Sequence, residues 1–373
     1  MQHPRPRQLT ADARAPRIGH VDVVLPEHRY SQRELVQVLE RRWADQPRLH
    51  AVAEKLFDSV AVEERHLALS LEEHANLSDF GEANDAFIRV GTDLGAKAVL
   101  RAVARSGLEL DEVDAIFFTT VTGVAAPSID ARLVNRLGLR RDVRRTPMFG
   151  LGCLGGAAGV ARASDYLRGH PDHVAVLLAV ELCTLTFQRD FSVANIIASG
   201  LFADGAAAVV LTGAEHAPRS SHGLRSLRGR VRPRVVDTRS AFFPDTERVM
   251  GWDVGATGFK VVLSADVPAI VREHVPREVD AFLAAHGLTR GDVKHWVCHP
   301  GGPKVIAAIE ESLGLPRDAL DVTRRSLATV GNLSSASVLH VLGETQERAM
   351  PGDLGVMMAM GPGFCAEMLL LAW

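Results

Sequence analysis

Two stretches of this chain occur twice at almost the same separation, which constrains the fold more than any other feature. A segment that begins at Gly107 (GLELDEV) and precedes an apolar run resembles a segment that begins at Gly287 (GLTRGDV), 180 residues later. The segment around Cys153 (GCLGGA) resembles the one around Asn332 (GNLSSA), 179 residues later. Two similarities at nearly one offset indicate a duplicated unit. The sequence therefore predicts two similar halves, joined in the Arg- and Ser-rich stretch at 220–235.

The duplicated halves imply boundaries along the 373 residues, a length that suits about two domains. We expect a flexible, Pro- and Arg-rich arm over 1–17, an N-terminal half over 18–225 and a C-terminal half over 226–373. Helical patterns alternate with apolar runs that suit buried strands, at 115–121, 174–180, 206–211, 296–298 and 355–360. This alternation predicts an α/β fold.

Composition excludes several classes of function. The formal net charge is −3, so we expect no nucleic-acid partner, which would usually require a basic stripe. The 4 cysteines include no short-spaced pair, which indicates a reducing compartment, no disulfide framework and no zinc site. No apolar run reaches the ~18 residues of a membrane span, and the polar N-terminus has no secretory signal. We therefore expect a cytoplasmic protein without stable membrane insertion.

Cys153 is the first candidate for a reactive group. It lies in a run of glycine and alanine that reads as a tight turn at the start of a packed helix. The positive end of the helix dipole favours a thiolate, and the neighbouring glycines would let a thioester approach the sulfur closely. These features predict a nucleophile. The alternative is that Cys153 is a small buried core residue, as most free cysteines are.

His299 and Asn332 are the candidate partners of this cysteine. His299 ends a predicted strand and precedes a Pro-Gly-Gly-Pro turn, where α/β folds present functional groups. If the halves pack about a pseudo-two-fold axis, Asn332 and Cys153 face one site. A histidine can stabilise the thiolate, and His with Asn can hold a carbonyl that becomes an enolate or oxyanion. The alternatives are an ordinary buried or surface histidine and a helix N-cap asparagine.

Five ordered motifs resemble the chalcone synthase family, the type III polyketide synthases. They surround Cys153 (GLGCLGG), His299 (CHPGGP) and Asn332 (GNLSSA), and they include LFADGAAA at 201–208 and MGPGF at 360–364. The resemblance implies the thiolase fold, five layers αβαβα built from two duplicated halves. It also implies a homodimer that uses CoA thioesters as substrates and needs no metal or other cofactor.

The resemblance implies a role for each member of the triad. Cys153 would carry the acyl group of an acyl-CoA starter. His299 and Asn332 would promote decarboxylation of malonyl-CoA and hold the enolate, which attacks the acyl thioester in a Claisen condensation. Repeated extension and ring closure would follow.

Further site residues come from the same resemblance. Phe202 matches a gatekeeper between the CoA tunnel and the cavity, although it could be a core aromatic at a strand end. Lys55 matches one basic CoA-binding position, but Val52 and Ser59 occupy two others, and Lys55 could be an ordinary solvated lysine. The turn that contains Gly301, Gly302 and Lys304 would hold the pantetheine arm.

Small side chains suggest the substrate class. Thr122, Ala126 and Cys183 resemble positions of the bacterial alkylpyrone and alkylresorcinol synthases, where small residues open a tunnel for an aliphatic chain. Each buried CH₂ would contribute about 0.8 kcal/mol, so we expect a medium to long aliphatic starter. The alternative is that these residues are simply well packed.

Trp252, where the family often has glycine, would shorten the cavity and favour few extensions and a pyrone. The other expected substrate-binding residues are Thr186, Phe259, Ser334, Gly361, Pro362 and Gly363.

Other functions stay open at this point. One is a synthase that uses malonyl-CoA or another small starter to make an aromatic polyketide such as tetrahydroxynaphthalene. Another is a β-ketoacyl-ACP synthase III, which has the same fold and triad but usually reads His-Gln-Ala-Asn where this chain has His-Pro-Gly-Gly. A scaffold protein that has lost activity would be expected to lose at least one of the three polar residues, and none is lost.

Overall fold

The computed structural model describes residues 14–42, 55–188, 192–217 and 231–373. The strands in these ranges are β1 (Arg17–Val24), β2 (His28–Ser31), β3 (Glu64–Leu67), β4 (Ala115–Thr120), β5 (Arg144–Phe149), β6 (Val174–Leu182), β7 (Asp204–Thr212), β8 (Arg234–Phe242), β9 (Met250–Gly255), β10 (Gly258–Leu263), β11 (His295–Cys298), β12 (Leu354–Gly361) and β13 (Cys365–Ala372). Nine of them form one sheet in the order β11-β12-β13-β8-β1-β7-β6-β4-β5. The pairs β2–β3 and β9–β10 form separate two-stranded sheets.

The helices lie mainly on the faces of the large sheet. They are α1 (Gln32–Arg42), α2 (Leu71–Asn76), α3 (Phe80–Arg105), α4 (Ile129–Leu137), α5 (Gly155–Gly169), α6 (Val193–Leu201), α7 (Val267–Ala285), α8 (Pro303–Leu313), α9 (Asp321–Val330) and α10 (Ser335–Gln346). None of these helices is long and apolar enough to span a bilayer, a finding that covers the described ranges alone.

The two halves of the large sheet share one strand pattern. In the N-terminal half, β4 and β6 are parallel, whereas β6–β7 and β7–β1 are antiparallel. In the C-terminal half, β11 and β12 are parallel, whereas β12–β13 and β13–β8 are antiparallel. β4 and β11 begin at Ala115 and His295, and α5 and α10 begin at Gly155 and Ser335, which is the offset of the sequence repeat. The repeated sequence is therefore a repeated fold.

Five layers result from this duplication. α5 and α10 pack against each other and fill the space between the inner faces of the two half-sheets. α3 and α4 cover the outer face of the N-terminal half-sheet, and α7 and α8 cover that of the C-terminal half-sheet. Because both faces are covered, every residue of β6 is buried, as expected for a strand with helices on both sides. The order is helix, sheet, helix, sheet, helix, the αβαβα arrangement of the thiolase fold.

The predicted domain boundaries fall close to the undescribed parts of the chain. Most of the predicted arm at 1–17 lies outside the described residues, although Ala15 is buried and β1 begins at Arg17. The predicted boundary between residues 225 and 226 also lies outside them. These boundaries stay predictions.

Candidate active site

Cys153 lies where the sequence predicted it, at the N-terminal end of α5. It occupies a 3₁₀ turn, Gly152–Leu154, which leads directly into the helix. Two of the glycines around it lie in close contact with other parts of the chain. A Cβ atom at Gly152 would overlap Pro362, and one at Gly156 would overlap the carbonyl oxygen of Ser335. They allow the cysteine turn and α5 to lie against the end of β12 and α10, and the predicted approach of a thioester stays a prediction.

A chain of hydrogen bonds connects Cys153 to Asn332. The Cys153 thiol is 3.6 Å from Ser334 Oγ, and the Ser334 amide donates to Asn332 Oδ1 at 2.8 Å. Ser337 Oγ also donates to this oxygen, at 3.4 Å. Both of these side-chain hydrogen bonds use Oδ1, so Nδ2 is the end of the amide that they leave available to a ligand. Asn332 is not the N-cap of α10, because that position belongs to Ser334.

Backbone pairing fixes Asn332 beside Phe202. The Asn332 amide donates to Leu201 O, and its carbonyl accepts from Ala203 N, both at 2.9 Å. Phe202 lies at the end of α6 and is half-buried. Arg65, itself buried, donates to Phe202 O at 2.7 Å and holds this connection in place. The predicted gatekeeper therefore lies next to a member of the triad.

His299 comes from the end of β11. Its backbone amide donates to Met358 O at 2.9 Å, which sets it beside β12. The C-terminal end of β12 leads to Pro362, which packs on the cysteine turn at Gly152. Gly302, in the turn after His299, faces Leu201, whose carbonyl binds the Asn332 amide. His299 and the cysteine turn are thus both attached to β12 and the residues that follow it, and the turn after His299 contacts the residue that pairs with Asn332.

Burial determines the charge state of the nucleophile and the histidine. Burial raises the pKa of the Cys153 thiol to about 12, and it lowers the pKa of His299 to about 3. Both groups are therefore neutral at pH 7, and neither ring nitrogen of His299 has a hydrogen-bond partner within the described residues. Burial therefore opposes the thiolate that the helix N-terminus favours, and the thiolate stays a prediction.

Glu181 is a buried residue of the site that the sequence reasoning did not single out. Its carboxylate accepts from Val121 N at 3.1 Å, from Thr122 Oγ1 at 2.9 Å, and from Ser335 Oγ. Burial raises its pKa to about 7. The sequence does contain a signal for it, a glutamate near the end of the apolar run VAVLLAVEL. Because a charged residue is rarely buried without partners, a glutamate in a predicted buried strand indicates a specific set of hydrogen bonds. Glu181 joins the Thr122 loop to the start of α10.

A cavity of about 870 Å³ opens beside this network. Three predicted substrate-binding residues, Thr122, Thr186 and Phe259, line it. Cys183 is fully buried and does not line it, whereas Ala126 is exposed on the loop between β4 and α4. The cavity also has walls that the sequence did not indicate, from α2, α3 and the segment between them, which contribute His74, Ser78, Asp79, Phe80, Ala83 and Asn84.

The remaining predicted residues take three positions. Trp252 is half-buried on β9, with its ring 5.9 Å from that of Phe259. Gly361 is the last residue of β12 and packs on the cysteine turn, and Pro362 and Gly363 follow it. Among the predicted CoA-binding residues, Lys55 and Lys304 are exposed, and Gly301 and Gly302 precede α8. Val52 lies outside the described residues.

Comparison with known proteins decides the family. Residues 10–216 match the sequence model of the N-terminal domain of chalcone and stilbene synthases, and residues 234–372 match that of the C-terminal domain. The chain belongs to this family. It is 50% identical over 358 residues (95% of this chain, 93% of the relative) to a 1,3,6,8-tetrahydroxynaphthalene synthase from Streptomyces peucetius subsp. caesius. It is 35% identical over 325 residues (85% and 87%) to a putative chalcone synthase from Bacillus subtilis.

A solved structure supports the same assignment. The crystal structure of 1,3,6,8-tetrahydroxynaphthalene synthase from Streptomyces coelicolor, a bacterial type III polyketide synthase, superimposes with a TM-score of 0.87 at 29% identity. The match covers 96% of this chain and 99% of that one. The protein is therefore a type III polyketide synthase with the thiolase fold, a decarboxylating acyltransferase. Membership of this family also sets aside the alternative of a β-ketoacyl-ACP synthase III.

Proposed function

We propose that this type III polyketide synthase uses malonyl-CoA as both starter and extender and makes a tetrahydroxynaphthalene-type product. The observation that carries the proposal is the relative from Streptomyces peucetius, a 1,3,6,8-tetrahydroxynaphthalene synthase that is 50% identical over 95% of this chain. The ten ring carbons of a naphthalene correspond to five two-carbon units, so malonyl-CoA alone can supply the skeleton. This function takes precedence over the aliphatic starter expected from the small side chains.

Loading begins with a neutral pair. As the Cys153 sulfur attacks the thioester carbonyl, its proton passes to the free ring nitrogen of His299. The tetrahedral intermediate collapses, the bond to the CoA sulfur breaks, and the imidazolium returns the proton to that sulfur as CoA leaves. Asn332 Nδ2 is suited to donate to the carbonyl oxygen as charge develops on it, since the hydrogen bonds from Ser334 and Ser337 use Oδ1.

Extension uses the same two polar side chains. His299 and Asn332 bind the thioester oxygen of malonyl-CoA, which stabilises the enolate formed when the carboxylate leaves as CO₂. The enolate carbon attacks the acyl carbonyl on Cys153, and the bond to the sulfur breaks. The product is a β-ketoacyl-CoA two carbons longer, and the thiolate that remains takes up a proton. A buried, low-pKa histidine favours this step, because a neutral imidazole can donate from one nitrogen without a fixed charge.

The cavity supports a chain rich in carbonyl groups. Hydroxyl groups that can donate hydrogen bonds line it, at Ser78 and Ser199. They suit a poly-β-keto intermediate, whose oxygens need partners when buried. Trp252 adds bulk beside Phe259 and limits the space near the hairpin β9–β10. We propose that Phe202 separates this space from the path of the CoA thioester.

A second candidate function retains the aliphatic starter. Apolar side chains line part of the same cavity, at Leu35, Val38, Phe57, Leu67 and Leu71. An acyl chain placed there would gain about 0.8 kcal/mol for each buried CH₂. The enzyme would then load a medium- or long-chain acyl-CoA and make an alkylpyrone or alkylresorcinol.

The proposed partners are CoA thioesters and a second copy of the chain, with no resident cofactor. Lys55 and Lys304 are exposed cations suited to the CoA phosphates, and Gly301 and Gly302 leave room for the pantetheine arm. The support for a homodimer is β5, which forms one edge of the large sheet and exposes most of its residues. An exposed edge strand is a natural surface for association.

Product analysis tests the two candidates directly. Purified enzyme would receive radiolabelled malonyl-CoA alone, and then with acyl-CoA starters of two to sixteen carbons, with products read by mass spectrometry. A ten-carbon aromatic product from malonyl-CoA alone supports the first proposal. Alkylpyrones that form only when a long-chain acyl-CoA is present support the second. A single condensation that requires an acyl carrier protein would contradict both, and Cys153→Ala serves as the inactive control.

A further inference from the structure

One side chain on α3 holds the loop between β4 and α4 by its backbone. Asn84 Nδ2 donates to Val124 O at 2.8 Å, and Val124 N donates to Asn84 Oδ1 at 2.8 Å. The amide thus pairs with both polar backbone groups of one residue, as a neighbouring strand would. Val124 is 51% exposed and lies in no strand, so the paired amide fixes the position of a surface loop.

This loop carries a wall of the cavity. Thr122 lies two residues before Val124, lines the cavity and donates to Glu181 at 2.9 Å. Between them, Gly123 lies so close to α3 that a Cβ atom there would overlap the Phe87 ring. The loop is therefore attached to α3 at two adjacent points, by hydrogen bonds at Asn84 and by close packing at Phe87.

The same turn of α3 also contacts the opposite wall. Phe80, one helical turn before Asn84, packs edge-to-face on Phe259 with ring centroids 5.5 Å apart. Phe259 belongs to the hairpin β9–β10, which also carries Trp252. The first turns of α3 are therefore the element that contacts both the Thr122 loop and the hairpin, and the cavity lies between these two.

We propose that Asn84 is a specificity-determining positioning residue, which sets the separation of the two cavity walls and hence the acyl chains that fit. The proposal rests on the proposed function, since it concerns substrates of that cavity. Asn84 does not contact the Cys153–His299–Asn332 triad in any hydrogen bond of the described chain. Its loss should alter which starters and chain lengths are accepted, but leave the decarboxylation step intact.

The test compares Asn84→Ala, Asn84→Gln and wild type. We expect the alanine variant to change the ratio of kcat/KM for malonyl-CoA and hexanoyl-CoA starters by about tenfold, because two hydrogen bonds are lost, and to release more truncated pyrones. Malonyl-CoA decarboxylation should stay within about twofold of wild type. The glutamine variant, which carries the same amide on a longer arm, should partly restore the starter ratio. Asn135→Ala, at an exposed position of α4, is the matched control and should leave the ratio unchanged.

Each outcome separates this proposal from the function on which it rests. If wild type makes polyketides and Asn84→Ala gives the same starter ratio and products, the positioning role is wrong and the function stands. If the rate of decarboxylation falls in parallel with kcat/KM for every starter, Asn84 has a general structural role and the proposal also fails. If the alanine variant does not fold, the comparison moves to Asn84→Ser, for which the same ratio decides. A wild type that condenses no malonyl-CoA removes the function itself.

Discussion

The three residues of the triad illustrate what sequence can show at the scale of single side chains. Cys153 and Asn332 were paired by the internal repeat, and the structure connects them through Ser334. Their charge state was not predictable, because it depends on how completely the fold buries them. Glu181 was missed for a related reason: its partners lie 60 and 154 residues away in sequence.

Removal of the nucleophile tests whether acyl loading and malonyl-CoA decarboxylation depend on different residues of the triad. Cys153→Ala should abolish acyl-enzyme formation and elongation, since no other thiol replaces the sulfur at the start of α5. Decarboxylation of malonyl-CoA should continue, because His299 and Asn332 remain. Intact-protein mass spectrometry detects the acyl adduct, and release of labelled CO₂ reports decarboxylation. A variant that still elongates would show that the nucleophile is assigned wrongly.

The raised pKa of Glu181 predicts a dependence of stability on pH. Burial raises this pKa from 4.5 to about 7, so the folded protein binds more protons than the unfolded chain between these values. Stability conferred by the protonated carboxyl is present below pH 4.5 and is lost as pH rises to 7. The full effect is about 3 kcal/mol, since one pKa unit is 1.36 kcal/mol.

Glu181→Gln isolates this contribution. Asp204, whose pKa burial raises to about 6, acts in the same direction, and His299, whose pKa is lowered, acts in the opposite one. The contributions of Asp204 and His299 are present in both proteins, so they cancel when the unfolding free energy of wild type is subtracted from that of the variant. We expect this difference to shift in favour of the variant between pH 5 and pH 7, measured by urea denaturation. A difference that is constant across this range would show that Glu181 does not titrate there.

Most strands that are buried throughout were predictable from the sequence, although β13, which is also buried almost throughout, was not predicted. β4, β6, β7, β11 and β12 are buried throughout or nearly so, and apolar runs predicted all five. The hairpin β9–β10 was not predicted, because most of its residues are exposed or half-buried and the pattern is mixed. The sequence also did not indicate that α2 and the start of α3 form a wall of the cavity, because their pattern is that of an ordinary amphipathic helix start.

Contact between α5 and α10 gives a prediction for one glycine. A Cβ atom at Gly156 would overlap the carbonyl oxygen of Ser335, and backbone cannot move aside as a flexible side chain can. Gly156→Ala should therefore lower the unfolding free energy by about 1–3 kcal/mol, the usual cost of overpacking. It should also reduce elongation, because α5 and α10 carry Cys153 and Ser334 at their starts.

Gly169, at the other end of α5, provides the matched control. Within the described residues, no atom outside the adjacent residues and the backbone of α5 lies within 4 Å of a Cβ built there, so Gly169→Ala should be neutral or slightly stabilising. Thermal unfolding and product formation would be compared for both variants. Equal stability of the two would contradict the inference that close helix contact, rather than helix propensity, requires the glycine.

At the scale of the whole molecule, the repeat at 179 and 180 residues predicted the architecture well. It matches the repeated strand pattern, the repeated starts of β4 and β11, and the two central helices. The size and walls of the cavity were beyond this reasoning. They arise between elements that are not repeats of each other, namely α3, the Thr122 loop and the hairpin, so the symmetry of the chain contains no information about them.

The exposed edge at β5 leads to a prediction about assembly. Phe149, at the end of β5, is 56% exposed, an unusual position for a large apolar side chain at a sheet edge. A second copy that covers this edge would bury it. We expect wild type to have twice the 40.3 kDa mass of one chain in light scattering, and Phe149→Glu to shift it towards one chain, because dimerisation would bury an unpaired charge.

A second exposed apolar residue controls for surface charge alone. Met350 is 57% exposed in the turn before β12, far along the sheet order from β5, so Met350→Glu should keep the mass of two chains. Dissociation of both variants would point to a general loss of stability, which thermal unfolding of each would reveal. A wild type that stays at one chain mass at micromolar concentration would contradict the proposed homodimer, and Phe149 would then need another partner to explain its exposure.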